Sequence, residues 1–286
     1  MLQDLDFGTL DNQYRKQTPQ AQDVVLCFRG SDILIARDEQ DHLQLPTWEQ
    51  VQSWNGSWQN WGIGTLQFAF RLQDINYFLW MGEAGESTDS TYRYESTGKL
   101  RQLISKNICF AVMTGWHLFT WYRSSLYCGQ CGTRTAHDQK ERMMRCPHCN
   151  NMIFPRISPA VIVAVTDGDR IVMTKYAGRS YARHALIAGF VEIGETAEET
   201  VAREVMEEVG LKVKNIRYYK SQPWGIAANM LFGYFCDLDG DDTIRLDEQE
   251  LAMAQWFPRN DMPVEDDGIS LTREMMRIFS EGKEPK

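Results

Sequence analysis

The sequence predicts a mixed chain, α+β or α/β in class, built from a small mixed N-terminal domain, a four-cysteine ribbon and a C-terminal α/β domain. Three observations predict it. Short apolar segments at residues 24–28, 33–36, 77–81, 161–165 and 171–175 have the composition and alternation of strands. Two Cys-x-x-Cys pairs, separated by fourteen residues, stand near the middle of the chain. A strongly patterned amphipathic helix follows within residues 189–211. At 286 residues the chain is long enough for two domains and ample core.

Composition bounds the function classes. Hydrophobic residues make up 43% and charged residues 24%, as in ordinary globular proteins. The net charge of −9 argues against non-specific nucleic-acid binding, which depends on basic residues neutralising phosphates. The first ten residues, MLQDLDFGTL, lack the basic and apolar regions of a secretory signal. No apolar run reaches the ~18 residues of a transmembrane helix. A cytoplasmic protein without a membrane partner is expected.

Residues 1–125 form the first part, rich in tryptophan (Trp48, Trp54, Trp58, Trp61, Trp80, Trp116, Trp121). These are expected to build its core, since the region carries no catalytic motif. Residues 98–122 have a helical pattern, and 82–90 are expected as an exposed loop. Residues 126–155 hold the cysteine pairs Cys128/Cys131 and Cys146/Cys149. That spacing suits a tetrahedral zinc site, and four thiolates leave no open position, so Zn²⁺ is expected as a structural metal. Gly132 and Asn150 follow each second cysteine and permit the tight turns that aim both sulfurs inward. His137 and His148 are nearby but not needed as ligands. Arg134, Lys140, Arg142 and Arg145 make the insert locally basic, which is expected to be a solvated hairpin. Cys27, Cys109 and Cys236 stand alone in apolar surroundings and read as core residues.

Residues 156–280 form the third part. A hairpin is expected about Asp167-Gly168, with strands near 216–219 and 231–238, a helix over 270–279, and a solvated acidic loop across most of 237–250. Between them lies GFVEIGETAEETVAREVMEEVGL, residues 189–211. Thr196 and Glu199 fit a capping box that starts a helix near Ala197. Gly210 suits the position just past its end. Val201, Val205 and Val209 recur every four residues and mark a buried face. Glu204, Glu207 and Glu208 fall at i, i+3 and i+4 on a neighbouring face. Like charges so placed repel by roughly 0.2–0.5 kcal/mol per pair on a free helix. A cation offsets that repulsion, and oxygen-only ligands favour Mg²⁺ or Mn²⁺ over zinc. Such sites often complete their coordination with substrate phosphates, which makes phosphate chemistry the first expectation.

The stretch resembles the Nudix box, glycine-x5-glutamate-x7-arginine-glutamate-aliphatic-x-glutamate-glutamate-x-glycine-aliphatic, and meets every fixed position from Gly189 to Leu211. The resemblance implies a Nudix α/β/α sandwich that hydrolyses a nucleoside diphosphate linked to another group. It implies that Glu204, Glu207 and Glu208 hold metals and activate water. It further implies that Arg203 orients a glutamate by ion pairing and that the Ala188 carbonyl is a metal ligand.

The order of parts, together with Ser221-Gln222-Pro223-Trp224 a dozen residues after the box, is similar to the NADH pyrophosphatase (NAD diphosphatase) branch of that superfamily from about residue 100 onward. Residues 154–159, Phe-Pro-Arg-Ile-Ser-Pro, match the link between its ribbon and its Nudix fold. By this similarity Phe154 and Phe190 stack on a base, and Gln222, Pro223, Trp224, Gly225, Ile226, Ala227, Ala228 and Asn229 line the dinucleotide. Glu141, Thr272 and Arg101 contact substrate. Glu250, before Ala-x-Trp, adds a metal ligand to Ala188, Glu204 and Glu208. The implied reaction is metal-dependent hydrolysis of the pyrophosphate of NADH or NAD⁺ to nicotinamide mononucleotide and AMP, with NAD-capped RNA as a further substrate. Mg²⁺ or Mn²⁺ serves the chemistry, and the family is generally a homodimer. Hydrolysis of ADP-ribose or another dinucleotide, and a non-catalytic ligand sensor, are the alternatives. The family's usual Pro-Phe-Pro-x-Ser after the tryptophan is replaced here by Gly225-Ile226-Ala227-Ala228-Asn229, its usual stacking tyrosine by Phe154, and its common alanine in the last helix by Thr272. Which glutamate acts as base is left open, because their titrations are coupled.

Overall fold

The computed structural model describes residues 1–286 apart from 6–7, 39–41, 55–65, 83–84, 86–88, 101–104, 179–182 and 264–266. Arg101, Trp58, Trp61 and much of the expected 82–90 loop therefore lie outside the described residues. The chain divides into two compact units. One comprises Leu2–Arg156 with Gly225–Ala227, the other Met1, Ile157–Trp224 and Ala228–Lys286. No described helix is long and apolar enough to cross a membrane.

In the first unit come β1 (Leu10–Asp11), β2 (Val24–Leu26), β3 (Phe28–Arg29), β4 (Asp32–Arg37), β5 (Leu43–Gln44), α1 (Trp48–Ser53), β6 (Leu66–Leu72), β7 (Ile75–Trp80) and β8 (Arg93–Ser96). α2 (Thr97–Leu100) and α3 (Lys106–Ser124) follow. One sheet runs β1-β6-β7-β2, and a second joins β3, β4 and β5, with β8 beside β4. Trp54 and Trp80 are buried with Val25, Cys27, Leu34 and Tyr92, and Trp48 packs against them, as the core reading of the tryptophans expects. The thiols of Cys27 and Cys236 are pushed well above the ordinary range by burial, which keeps them unreactive. The ribbon adds β9 (Ala136–His137), β10 (Met144–Arg145) and β11 (Met152–Ile153), an antiparallel sheet in the order β11-β10-β9.

The second unit contains β12 (Ser158–Asp167), β13 (Arg170–Tyr176), β14 (Ile187–Phe190), α4 (Ala197–Val209), β15 (Val213–Trp224), β16 (Asn229–Leu238), β17 (Leu251–Pro258) and α5 (Leu271–Ser280). Its sheet runs β15-β16-β12-β13-β17, and β14 also pairs with β12. β12 lies parallel to β16 and is apolar along nearly its whole length, as a strand covered on both faces must be. Val161, Val163 and Val165 face one way and pack with Val201, Val205 and Val209 of α4. Ile162 and Ala164 face the other way and pack with Leu271, Met275, Met276 and Phe279 of α5. The period-2 alternation of one strand thus supplies both interfaces of an α/β/α sandwich.

Two local expectations shift. The hairpin turn is Gly168-Asp169, between the paired Asp167 and Arg170, one residue later than expected. Gly168 takes a φ of +57° at the first loop position, where a type II′ turn favours glycine. Residues 187–190 and 251–258, not foreseen as strands, are β14 and β17. Their pairing with β12 and β13 supplies what their short, mixed sequences do not announce.

Candidate active site

The box helix α4 is built by local chemistry. Thr196 Oγ1 accepts the Glu199 amide at 3.2 Å, and Glu199 Oε2 accepts the Thr196 amide at 2.8 Å, closing the capping box. Gly210 ends the helix at φ +68°, a left-handed conformation that favours glycine.

Arg203 is the hub of the site. Its Nε and Nη2 donate to Glu195 at 2.7 and 2.9 Å as a two-pronged pair. Its Nη1 donates to Glu204 at 2.8 Å and to Glu207 at 2.9 Å, and Nη2 also donates to the Phe190 carbonyl at 3.0 Å. Glu195 in turn accepts from Thr200 Oγ1 at 2.9 Å and from the Glu192 amide at 3.2 Å. Arg203, helped by Thr200 and that amide, holds the Glu195 carboxyl down at about 2. Arg203, expected to pair with one glutamate, contacts three glutamates and one main-chain carbonyl. The added signal lies in the box itself, where Glu195 stands eight residues before Arg203.

The helix carboxylates differ sharply in environment. The Glu207 side chain is 59% exposed, that of Glu204 is 12% exposed, and Glu208 is 2% exposed. Burial, reinforced by the charges of Glu204, Glu250 and Asp247, pushes the Glu208 carboxyl up to about 8, even though the Ala188 amide donates to it. Its Oε2 is buried without a partner. Burial also raises Glu204, against the pull of Arg203. Gly189 explains how Glu204 reaches this place, since a β-carbon there would stand 1.9 Å from the Glu204 Cδ. The carboxylate occupies the space that any other side chain would fill. Glu250 sits exposed in the turn just before β17, near enough for its charge to act on Glu204 and Glu208. Asp247, which sequence reasoning left in an acidic loop, joins them, and its amide also donates to the Glu208 carbonyl at 3.0 Å. An orphaned buried oxygen beside Glu204, within the field of Glu250 and Asp247, fits a divalent cation of the oxygen-preferring class.

The ribbon forms a second centre. The Sγ atoms of Cys128 and Cys149 are 3.6 Å apart, and Cys131 lies 3.5 Å from both Cys146 and Cys149. Sulfurs about 2.3 Å from a shared zinc stand roughly 3.8 Å apart, so this set fits a tetrahedral Zn²⁺. None of the four is in a disulfide. They are also the one set of three or more potential ligands among the described residues whose atoms all fall within 4.8 Å of one another. Gly132 and Asn150 take φ of +71° and +61°, the left-handed turns expected of both knuckles. His137 packs against Tyr122 with ring centroids 5.1 Å apart, away from a ligand role. Arg142 departs from a solvated basic hairpin, whereas Arg145 stays within it. Arg142 is tucked into the N-terminal part, and Arg145 pairs with Asp138 at 3.4 Å.

The remaining predicted residues are distributed as follows. Phe154 and Phe190 present half-exposed rings, 51% and 54% accessible, in their respective units. Gln222 is fully buried, its Nε2 donating to the Ile269 carbonyl at 2.7 Å and its Oε1 accepting the Leu271 amide at 2.8 Å, so it tethers the start of α5. Pro223 and Trp224 end β15, Asn229 begins β16, and Gly225, Ile226 and Ala227 form a 3-10 turn. Gly225 packs on α3, and a β-carbon there would meet the Met113 carbonyl oxygen at 2.3 Å, which excludes any larger residue. Ala228 takes a strained φ of +56°, and the Asn229 Oδ1 is buried without a partner. Thr272 is half-buried in the first turn of α5, and Glu141 is exposed on the ribbon.

Two regions of the chain match known protein families. The NUDIX domain profile matches residues 156–277, and that of the NADH pyrophosphatase zinc ribbon domain matches residues 123–154. NAD-capped RNA hydrolase NudC of Shigella boydii is 37% identical over 187 residues, 65% of this chain and 72% of the relative. NudC of Escherichia coli matches with the same identity and coverage. A crystal structure of a NUDIX hydrolase from Nitrosomonas europaea covers 54% of this chain and 90% of its own, with TM-score 0.46 and 21% identity. A capped box helix gathered around one arginine, preceded by a four-cysteine ribbon of matching sequence, places this chain in the Nudix hydrolase family, in the branch that carries the NADH pyrophosphatase zinc ribbon.

Proposed function

We propose that this protein is an NAD(H) diphosphatase that hydrolyses the pyrophosphate of NADH or NAD⁺ to nicotinamide mononucleotide and AMP, and that it cleaves the same bond in NAD-capped RNA. The observation that carries the reading is the Glu208 carboxylate, buried beside Glu204 with one oxygen unsatisfied. Nothing in the fold alone rewards such a group, whereas a cation-dependent phosphate hydrolase requires it. Glu204, Glu208, Glu250 and the Ala188 carbonyl would hold Mg²⁺ or Mn²⁺, and Cys128, Cys131, Cys146 and Cys149 a structural Zn²⁺. When bound, the divalent ion neutralises charge on the diphosphate and acidifies a water.

The chain's own groups then divide the work. Arg203, anchored on Glu195, fixes Glu204 and Glu207 on one side of the helix. Glu207 is the carboxylate open to solvent, and it serves as the base that takes the proton of the attacking water. Water oxygen bonds to one phosphorus, the bridging P–O bond breaks, and the two mononucleotides leave. Glu208, buried, cannot exchange a proton with solvent as readily. Phe154 and Phe190 offer apolar faces for a base. Gln222, Pro223, Trp224, Gly225, Ile226, Ala227, Ala228 and Asn229 shape the dinucleotide site, Gln222 through α5 and Thr272. The protein works as a cytoplasmic homodimer.

Purified protein incubated with NADH, NAD⁺ or ADP-ribose and Mg²⁺ or Mn²⁺, with products resolved by chromatography, tests this. AMP and nicotinamide mononucleotide from NAD(H), lost in Glu207→Gln, is the expected result. Turnover of ADP-ribose alone would replace the reading and point to the altered 225–229 loop.

A further inference from the structure

The ribbon turn between β9 and β10, residues 138–143, carries Glu141, and the N-terminal part of the same unit closes on it. Arg142 Nη2 donates to the Ala69 carbonyl at 2.7 Å and to Asn12 at 3.0 Å (side chain) and 3.3 Å (main chain). Its guanidinium carbon lies 5.6 Å from the centre of the Tyr14 ring. Tyr14 Oη donates to the Asp138 carbonyl at 3.1 Å, and Lys16 Nζ donates to Gln139 Oε1. Inside the turn, Asp138 Oδ1 accepts the amides of Lys140 at 2.9 Å and Glu141 at 3.1 Å. The turn is thus fixed from within by Asp138 and tied to the N-terminal part by its own Arg142 and by Tyr14 and Lys16, while the Glu141 side chain remains exposed.

The chemistry of this clasp is informative. Arg142 is held by carbonyl and amide oxygens, no described carboxylate pairs with it, and its Nη1 is buried without a partner. Neutral acceptors restore only part of the hydration a buried guanidinium loses, so an apolar side chain of similar volume would hold the two surfaces together at least as well. What an apolar side chain lacks is direction. One guanidinium nitrogen, Nη2, bonded at once to β6 (Ala69) and to Asn12, ties the turn to two separate N-terminal segments in a directional way. We propose that Arg142 is a positioning residue through which the N-terminal part sets where the Glu141 carboxylate meets substrate. This rests on the substrate role proposed for Glu141, and it gives the N-terminal part a task in the reaction.

The test uses full-length, zinc-loaded protein and the variants Arg142→Met, Arg142→Lys, Tyr14→Phe, Glu141→Gln and the double variant Arg142→Met/Glu141→Gln. Readouts are kcat and KM for NADH, zinc content and Tm. Glu141→Gln and Arg142→Met are each expected to raise KM about tenfold, the worth of one charge-assisted hydrogen bond, with kcat changed less than about twofold. Arg142→Met should keep its zinc and its Tm, and Arg142→Lys should recover part of the KM. Tyr14→Phe should give a smaller rise. The double variant should be no worse than the worse single one, because both act through one contact. A raised KM in Glu141→Gln with parental KM in Arg142→Met overturns the positioning role and leaves the Glu141 contact standing. Parental KM in Glu141→Gln removes that contact and the inference with it. Loss of zinc or of Tm in Arg142→Met, unrelieved in Arg142→Lys, would assign Arg142 to stability alone and overturn the proposal.

Discussion

Gly189→Ala adds a single methyl group where the structure leaves no room for one. The new β-carbon would lie 1.9 Å from the Glu204 Cδ and 2.0 and 2.3 Å from its oxygens. Non-bonded carbons rest at about 3.5–4.0 Å, so the carboxylate must retreat by roughly 1.5 Å or more. It cannot retreat freely, because Arg203 Nη1 holds it at 2.8 Å and Arg203 is itself tied to Glu195 and Glu207. The backbone raises no objection, since Gly189 lies in β14 and is not among the positive-φ glycines. A misplacement of about 1 Å in a positioning group costs up to ~100-fold in rate, or about 2.7 kcal/mol in the barrier. Initial rates of NADH hydrolysis at saturating substrate and Mn²⁺ should therefore fall about 100-fold, with Tm within ~2 °C of the parent. Mn²⁺ binding, followed by the loss of the free-ion electron paramagnetic resonance signal, should weaken as it does in Glu204→Gln. Parental kcat and parental Mn²⁺ affinity in Gly189→Ala would refute the claim that Glu204 must stand against this strand.

Three further outcomes are expected. In zinc-loaded protein freed of Mg²⁺ and Mn²⁺, the Glu208 carboxyl near 8 favours the fold fully below about 4.5, and this contribution is lost as pH rises through 8, because the unfolded chain has then released a proton the folded chain still holds. Tm should therefore fall between pH 5 and pH 8.5, and either added Mn²⁺ or Glu208→Gln should flatten the fall; a flat profile in the metal-free parent would contradict it. Removing zinc, or Cys131→Ser, should release the ribbon, whose strands are two residues each and bury little on their own. Thiol titration would then find the remaining ribbon cysteines reactive, four after zinc removal and three in Cys131→Ser, and protease would cut within residues 126–155, whereas continued protection would argue against a structural metal. Ala228→Gly relieves a left-handed φ of +56° and should stabilise by about 1 kcal/mol, seen as a Tm higher by about 2–4 °C.

Where the information is local, sequence and structure coincide. Thr196, Glu199 and Gly210 specify the two ends of α4 within fifteen residues, and each adopts the conformation its type favours. The cysteine knuckles behave alike, because Gly132 and Asn150 make the turn beside the ligands they serve. β14 and β17 were not legible because they become strands only against β12 and β13, far away in sequence. The turn residue of the β12–β13 hairpin was missed by one position, because the register is settled by the pairing of Asp167 with Arg170 and not by the Asp-Gly pair alone.

The sequence by itself determined the box helix, its caps, the identity of its carboxylates and the four thiols of the ribbon, since helical periodicity and ligand spacing are properties of a few neighbouring residues. Only the tertiary structure decided that adjacent Glu207 and Glu208 part company, one exposed and one buried beside Glu204. It alone placed the Gln222 amide under α5 and withdrew Arg142 from solvent into the contact with Ala69 and Asn12. The physical reason is the same in each case. Periodicity says which side chains share a face, and long-range packing says what that face meets, and therefore which charges lose their water.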